Sequence, residues 1–269
     1  MKQILLGLMI LMGIVTSCND DAIFEKEMYK NEVALISSDY YNSFKEVVHL
    51  TGEEVTGYIA VSVGGTHAPG NDLIIGLEED PAPLALYNYS LYDADESLYA
   101  RALPNDKYEI AKYEIHVKAG ERTGRTMITL RPEGLSPDST YFIGLRATDI
   151  SGVALNPKKS TILYQVLLEN DYASQATNSF YTMTGMVDGM VTAANKELFP
   201  LTHNSGHVMI KPFGTIQVTQ LNDDPKYPNK FMIEEAYGQK TNVFLLSYAY
   251  TIGKVTKVMK ERVEMQMRN

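Results

Sequence analysis

The chain has 269 residues, 45% of them hydrophobic and 21% charged, and a formal net charge of -9. That balance belongs to a folded globular protein and excludes both a disordered chain and the basic stripe that nucleic-acid phosphates demand. Aromatic content is carried by 18 Tyr and 8 Phe with no Trp, and there is a single Cys.

At the N-terminus, Lys2 precedes an apolar run from Ile4 to Val15 broken only by Gly7 and Gly13. A transmembrane helix needs roughly 20 apolar residues and a signal-peptide core about 7 to 15, so residues 1–17 read as a signal peptide. Val15-Thr16-Ser17-Cys18 then resembles the bacterial lipobox, in which the cysteine thiol takes the lipid. Because the only cysteine sits there, the mature chain is expected to lack disulfides and to be anchored through Cys18 to outer-membrane lipid. Residues 18–31 form an acidic tether with Asp20, Asp21, Glu25 and Glu27. Acidic residues directly after the cysteine resemble the export signal that carries Bacteroidetes lipoproteins to the cell surface.

Beyond the tether, short alternating segments between turn-rich loops predict an all-β protein. Thr56 to Val63 alternates Tyr58, Ala60 and Ser62 against Ile59, Val61 and Val63, and a second strand is expected at Leu73 to Leu77. Asp93 to Leu103 carries helical spacing, with Asp93 as an N-cap and Pro104 as a stop. Tyr113 to Lys118 and Met127 to Leu130 read as the arms of a hairpin joined by Ala119-Gly120-Glu121-Arg122-Thr123-Gly124. Leu135-Ser136-Pro137-Asp138-Ser139-Thr140-Tyr141 resembles the tyrosine corner of immunoglobulin-like sandwiches, where the hydroxyl bonds back to upstream backbone. Tyr141 is therefore expected to be structural, with Ser160 to Leu168 as the last strand of the sandwich.

The rhythm lapses between Glu169 and Ser179, which marks the domain boundary. The expected division is a β-sandwich at 32–170, a linker at 171–179 and a barrel-like antiparallel domain at 180–269. In the last, strands are expected at Phe180 to Val187, His207 to Lys211, Thr215 to Leu221, Phe231 to Glu235, Asn242 to Ile252 and Val263 to Met267. Met190 to Leu198 has the spacing of a short helix, while Lys254 to Arg262 fits either a strand or a helix.

Residues Glu32 to Tyr172 resemble the N-terminal domain of unknown function of gut Bacteroidetes surface lipoproteins, often encoded beside glycan-uptake systems and chitinase-like glycosidases. The phrases that carry the resemblance are Gly57-Tyr58-Ile59-Ala60-Val61-Ser62-Val63-Gly64-Gly65-Thr66, Leu103-Pro104 with Tyr108, Ala119-Gly120-Glu121, and Leu135 to Tyr141. Phe180 to Met267 resembles the lipocalin-like domain that accompanies it. The resemblance implies an immunoglobulin-like β-sandwich, a lipocalin-like barrel, and a non-catalytic glycan-binding role beside an uptake transporter complex. It carries over no ligand residues.

Catalytic signatures are missing from the sequence: there is no Gly-x-Ser-x-Gly elbow, His-Glu-x-x-His or Walker loop. His203 and His207 flank Asn204-Ser205-Gly206, which is turn chemistry without a further metal ligand. Asp93-Ala94-Asp95-Glu96 clusters carboxylates at a predicted helix start, where the dipole favours them. No cofactor or metal is expected, and no enzyme activity. For glycan stacking the candidates are Tyr87, Tyr89 and Tyr92 in Tyr87-Asn88-Tyr89-Ser90-Leu91-Tyr92, with Tyr87 and Tyr89 on one face if the segment is extended. Tyr40-Tyr41-Asn42 and Tyr227 are lesser versions. The alternative role is a structural or adhesive envelope lipoprotein, such as a fimbrial subunit, that joins partners through edge strands.

Overall fold

The computed structural model describes residues 28–177, 179–187, 190–202, 205–210, 214–219, 230–236, 239–252 and 254–266. The expected signal peptide, Cys18 and most of the expected acidic tether lie outside the described residues. So do His203 and Tyr227, and the side chain of His207.

The described chain is built of strands, with one α-helix and two 3-10 turns. Eleven strands precede residue 170: β1 (Glu32–Leu35), β2 (Ser43–His49), β3 (Val55–Gly64), β4 (Leu73–Glu79), β5 (Arg101–Ala102), β6 (Tyr108–Ile110), β7 (Glu114–Val117), β8 (Thr123–Leu130), β9 (Tyr141–Asp149), β10 (Ala154–Leu155) and β11 (Thr161–Glu169). They form two sheets, in the orders β10-β1-β3-β8-β6 and β2-β11-β9-β4-β7, with β5 added on β9. β2 and β11 run parallel over Ser43↔Leu163 to His49↔Glu169, so the beginning and end of this part lie side by side.

One core joins the two sheets. Val33, Leu35, Ile59, Val61, Val63, Ile128 and Leu130 come from the first; Val48, Ile75, Leu77, Ile115, Val117, Ile143, Leu145 and Ile162 from the second. The alternation in β3 holds in part: Ile59, Val61 and Val63 are buried and Tyr58 is exposed, but Ala60, expected on the outer face, is buried as well and Ser62 is half-buried. Tyr141 also behaves as expected, since its hydroxyl accepts the Ser136 N–H at 3.2 Å.

The expected hairpin between Tyr113 and Leu130 is not formed. β7 pairs with β4 in the second sheet and β8 with β3 and β6 in the first, so the segment between them crosses the layers. Each strand buries alternate residues, but both faces turn toward the same core from opposite sides, which alternation alone cannot distinguish from a hairpin. Gly124 permits the crossing, because a Cβ there would meet the His116 carbonyl oxygen at 2.5 Å and the Ile115 and Val117 methyls at 2.9 Å.

The expected helix at 93–103 is replaced by a 3-10 turn at Glu96–Leu98 and by β5, and the true helix, α1, spans Ala82–Tyr92. Pro81 and Pro83 fit a first turn, where missing N–H groups cost nothing, and Asp80 accepts the Ala82 N–H at 3.0 Å. Asp93, at φ 50 and ψ -119, ends α1 in backbone space that residues with a Cβ rarely adopt.

The third sheet contains β12 (Ser179–Val187), β13 (Met190–Thr202), β14 (Ser205–Ile210), β15 (Gly214–Thr219), β16 (Lys230–Ala236), β17 (Gln239–Ile252) and β18 (Val255–Gln266), in the order β15-β14-β13-β12-β18-β17-β16. All its pairs are antiparallel, and the first and last strands are neighbours at its centre. Met190–Leu198 is therefore strand, not helix: its pairing with β12 along nine positions outweighs a local helical spacing. Lys254–Arg262 likewise resolves as strand from Val255 onward. Inside this sheet Lys196 of β13 forms a buried ion pair with Glu261 of β18. Gly185 opposite Glu261 has no room for a Cβ, which would strike the Lys260 carbonyl.

Asn170 and residues 171–177 of the expected 171–179 linker are bonded to both sides. Asn170 accepts from Tyr172 and Ala173 N–H at 3.0 and 2.9 Å and donates to the Thr202 carbonyl at 2.7 Å. Gln175 accepts the Leu168 N–H at 2.7 Å and donates to the Pro137 carbonyl at 2.6 Å. The Tyr172 ring meets Phe244 edge-on at 5.9 Å, and the Tyr181 hydroxyl donates to the Tyr172 carbonyl.

Candidate functional site

The site begins in the turn between β1 and β2. Asp39 and Asn42 both have φ near 56, a left-handed conformation open to Asx residues but costly for the tyrosines between them. The Asp39 carboxylate fixes the turn by accepting the Tyr41 N–H at 2.9 Å, the Ser43 N–H at 3.1 Å and the Ser43 hydroxyl. Burial pushes its carboxyl upward, but the bonds from Ser43 and Tyr41 and the charge of Lys45 hold it below the ordinary aspartate value. At the other end of the turn, Asn42 donates to the Lys158 carbonyl at 2.7 Å, and its own carbonyl accepts the Leu163 N–H at 3.0 Å.

This fixed turn sets Tyr40 and Tyr41 beside α1. Tyr40 is 88% exposed; its ring meets Tyr41 edge-on at 5.1 Å, Tyr41 meets Tyr87 at 5.1 Å, and Tyr87 meets buried Phe142 of β9 at 4.9 Å. Four rings thus step from solvent to the outer face of the second sheet. Below them Ala100, Phe142 and Leu163 form a small core that also takes Leu84, Tyr41 and Tyr87. Burial raises the Tyr87 phenol above its ordinary value, as do the charges of Tyr92, Asp39 and Tyr41.

Of the three sequence candidates, Tyr87 and Tyr92 are half-buried and Tyr89 is exposed. The segment is helical, not extended. Residues two apart then point roughly 200° apart, so Tyr87 and Tyr89 do not share a face. The Tyr92 ring lies 6.5 Å from Tyr99, whose hydroxyl donates to the Asp93 carbonyl at 2.5 Å. What the structure brings to Tyr87 instead is Tyr41, with Tyr40 outside it. The sequence signal for that turn was an Asx residue at each end of a tyrosine pair.

Asp95, from the carboxylate cluster, has a local structural role: it accepts the Ser97 N–H at 3.2 Å and the Ser97 hydroxyl at 2.5 Å. A cleft of about 180 Å³ lies away from these rings, at the junction with the third sheet, lined by Ser174, Gln175, Ser179, Glu197, Leu198 and Phe199. Among the described residues no group of three His, Cys, Asp or Glu side chains could hold a metal ion. Among them, too, no helix is long and apolar enough to cross a membrane.

Residues 24–154 match a family model described as "-like, N-terminal domain". No curated protein matches the chain by sequence. A solved Bacteroides ovatus protein of unknown function is similar at 15% identity over 88% of this chain and 93% of its own, with TM-score 0.63. A second from that organism, a multidomain protein including DUF1735, is similar at 14% identity over 87% and 93%, with TM-score 0.61. An auxiliary nutrient binding protein from Bacteroides thetaiotaomicron is similar at 11% identity over 86% and 93%, with TM-score 0.57. At these identities the likeness is one of fold, and it extends over all three sheets.

Proposed function

We propose that this protein is a non-catalytic, lipid-anchored surface protein that captures glycans for an uptake complex, through a site formed by Asp39, Tyr40, Tyr41, Asn42, Tyr87 and Tyr92. In this reading residues 32–170 are an immunoglobulin-like sandwich, 180–269 a lipocalin-like half-barrel, and 171–179 their connection. Cys18 carries the lipid, and the outer membrane is the location.

The observation that carries the proposal is the Asp39–Asn42 turn, which sets exposed Tyr40 on half-buried Tyr41 and Tyr41 against Tyr87. Aromatic faces stack on the apolar C–H face of a sugar ring, and fixed rings bind with little loss of side-chain entropy. The nearby carboxylate and amide suit sugar hydroxyls. The fold shared with a protein described as nutrient binding supports the same reading.

Affinity electrophoresis of the mature chain against host N-glycans, mucin sugars and plant polysaccharides tests it. Retardation by one of these classes is expected, and Tyr40→Ala, at a solvent-exposed position, should abolish it while leaving the circular dichroism spectrum unchanged. No retardation on any glycan, or retardation that survives both Tyr40→Ala and Tyr41→Ala, would overturn the assignment. For the anchor, a Cys18→Ala chain is expected to leave the membrane fraction in a high-salt wash. Retention through that wash would refute lipidation at Cys18.

A further inference from the structure

Two hairpins of the third sheet turn at one rim of it, the β17–β18 turn four residues beyond the β12–β13 turn. In one, Val187 of β12 pairs with Met190 of β13; in the other, Ile252 of β17 pairs with Val255 of β18. Val187 also pairs with Met259 of β18, which sets the hairpins side by side. The opposite end of the β12–β13 pair, Ser179 with Leu198, borders the junction cleft, so the rim points away from the first two sheets.

Hairpin ends that face water are ordinarily polar, yet here Met186 is 46%, Met190 69%, Val191 87% and Val255 59% exposed. Met186, Val191 and Lys260 are cross-strand partners and share one face. Within 184–191 and 252–260 there are three basic residues, Lys254, Lys257 and Lys260, and one acidic residue, Asp188, although the whole chain has a net charge of -9. Lys254 and Lys260 are exposed.

We propose that this rim docks on an anionic lipid surface, with Met186, Met190, Val191 and Val255 entering the headgroup boundary and Lys254 and Lys260 meeting lipid phosphates. Apolar side chains ringed by lysines are the composition that interfacial membrane contacts use, because the cations are drawn to anionic headgroups while the apolar groups leave water. A projecting pair of hairpin ends suits a deformable lipid surface. A protein partner ordinarily needs about 800 Å² of fitted surface from each side. The docking is independent of the proposed glycan site, which lies on the β1–β2 turn and α1.

Cys18 is the single cysteine, so a full chain carrying Cys18→Ser and Val191→Cys accepts an environment-sensitive fluorophore at position 191 alone. Adding vesicles of phosphatidylcholine mixed with phosphatidylglycerol should shift its emission to the blue, and high salt should reverse the shift. Pure phosphatidylcholine should give less. The same label at exposed Glu121, as Glu121→Cys, should give no shift. Lys254→Glu with Lys260→Glu should weaken the vesicle response about tenfold or more. No shift at 191 with the mixed vesicles would overturn the proposal, as would a response equal on both lipids and indifferent to the lysine reversals. A shift that grows with protein concentration in the absence of vesicles would assign the rim to a second copy of the chain and overturn it as well.

Discussion

The side chain of Asn88 pairs with both backbone groups of Ala100, donating to its carbonyl at 2.9 Å and accepting its N–H at 2.9 Å. Both residues are buried, so a helix residue takes the place of a missing strand neighbour and pins α1 to the second sheet. Asn88→Ala leaves two buried backbone groups unsatisfied. Its expected cost is about 2 to 4 kcal/mol in urea denaturation, at about 1 to 3 kcal/mol per orphaned group with partial access of water. Since Tyr87 is the preceding residue, the same variant should weaken any glycan retardation that Tyr40→Ala abolishes.

Glu79 gathers two phenols: the hydroxyls of Tyr108 and Tyr113 both donate to its Oε1 at 2.7 Å. Burial first, then the bond to Glu79 and its charge, push the Tyr113 phenol up to about 12 and Tyr108 upward as well. A phenol raised in the folded state stays protonated where the unfolded chain has already ionised. Its stabilisation is whole below pH 10, the ordinary tyrosine value, and is lost as pH rises through about 12. Stability should fall across that window, and phenolate absorbance should show a fraction of tyrosines ionising late. Glu79→Gln removes the negative charge and should bring Tyr113 back toward 10; an unchanged titration would contradict the arrangement.

Much of the strand content was legible because β7 and β8 bury alternate residues, because β11 is a short apolar run buried on both faces, and because Leu135 to Tyr141 announces its corner. The helix was hidden by its own start: Asp80-Pro81-Ala82-Pro83 has turn composition, and Tyr87, Tyr89 and the residues around them alternate as a strand would. Pairing was less legible still. β7 chooses β4 over its sequence neighbour β8, a decision made by the two-layer core and not by local pattern. The site suffered most, since Tyr41 and Tyr87 meet only through β9 and β11, and no local spacing encodes that contact.

Gly57 of β3 is a test of close packing between the sheets. A Cβ there would strike the Tyr164 hydroxyl and approach Glu46 Oε2 at 3.0 Å, while that hydroxyl donates to the same oxygen at 2.9 Å. Tyr164 is fully buried and stacks on Phe44 at 5.4 Å, so it has little room to yield. Gly57→Ala should cost about 1 to 3 kcal/mol, as overpacking does. Tyr164→Phe in the same chain should recover part of that loss, because removing the hydroxyl clears the space; denaturation of the two variants side by side measures the coupling.

Lys196 and Glu261 carry opposite charges inside the third sheet, with side-chain exposures of 8% and 0%. Removing one partner breaks this ion pair while the other charge stays buried. Lys196→Met or Glu261→Met alone should therefore destabilise the sheet by about 3 to 5 kcal/mol. Replacing both, as Lys196→Met with Glu261→Met, should recover most of the loss, because desolvating two charges offsets much of what their attraction contributes. Thermal unfolding of the two single variants and the double variant forms a complete cycle. If the double variant were as unstable as the sum of the singles, the two residues would be acting independently, and the ion pair would not be what holds β13 and β18 in place across β12.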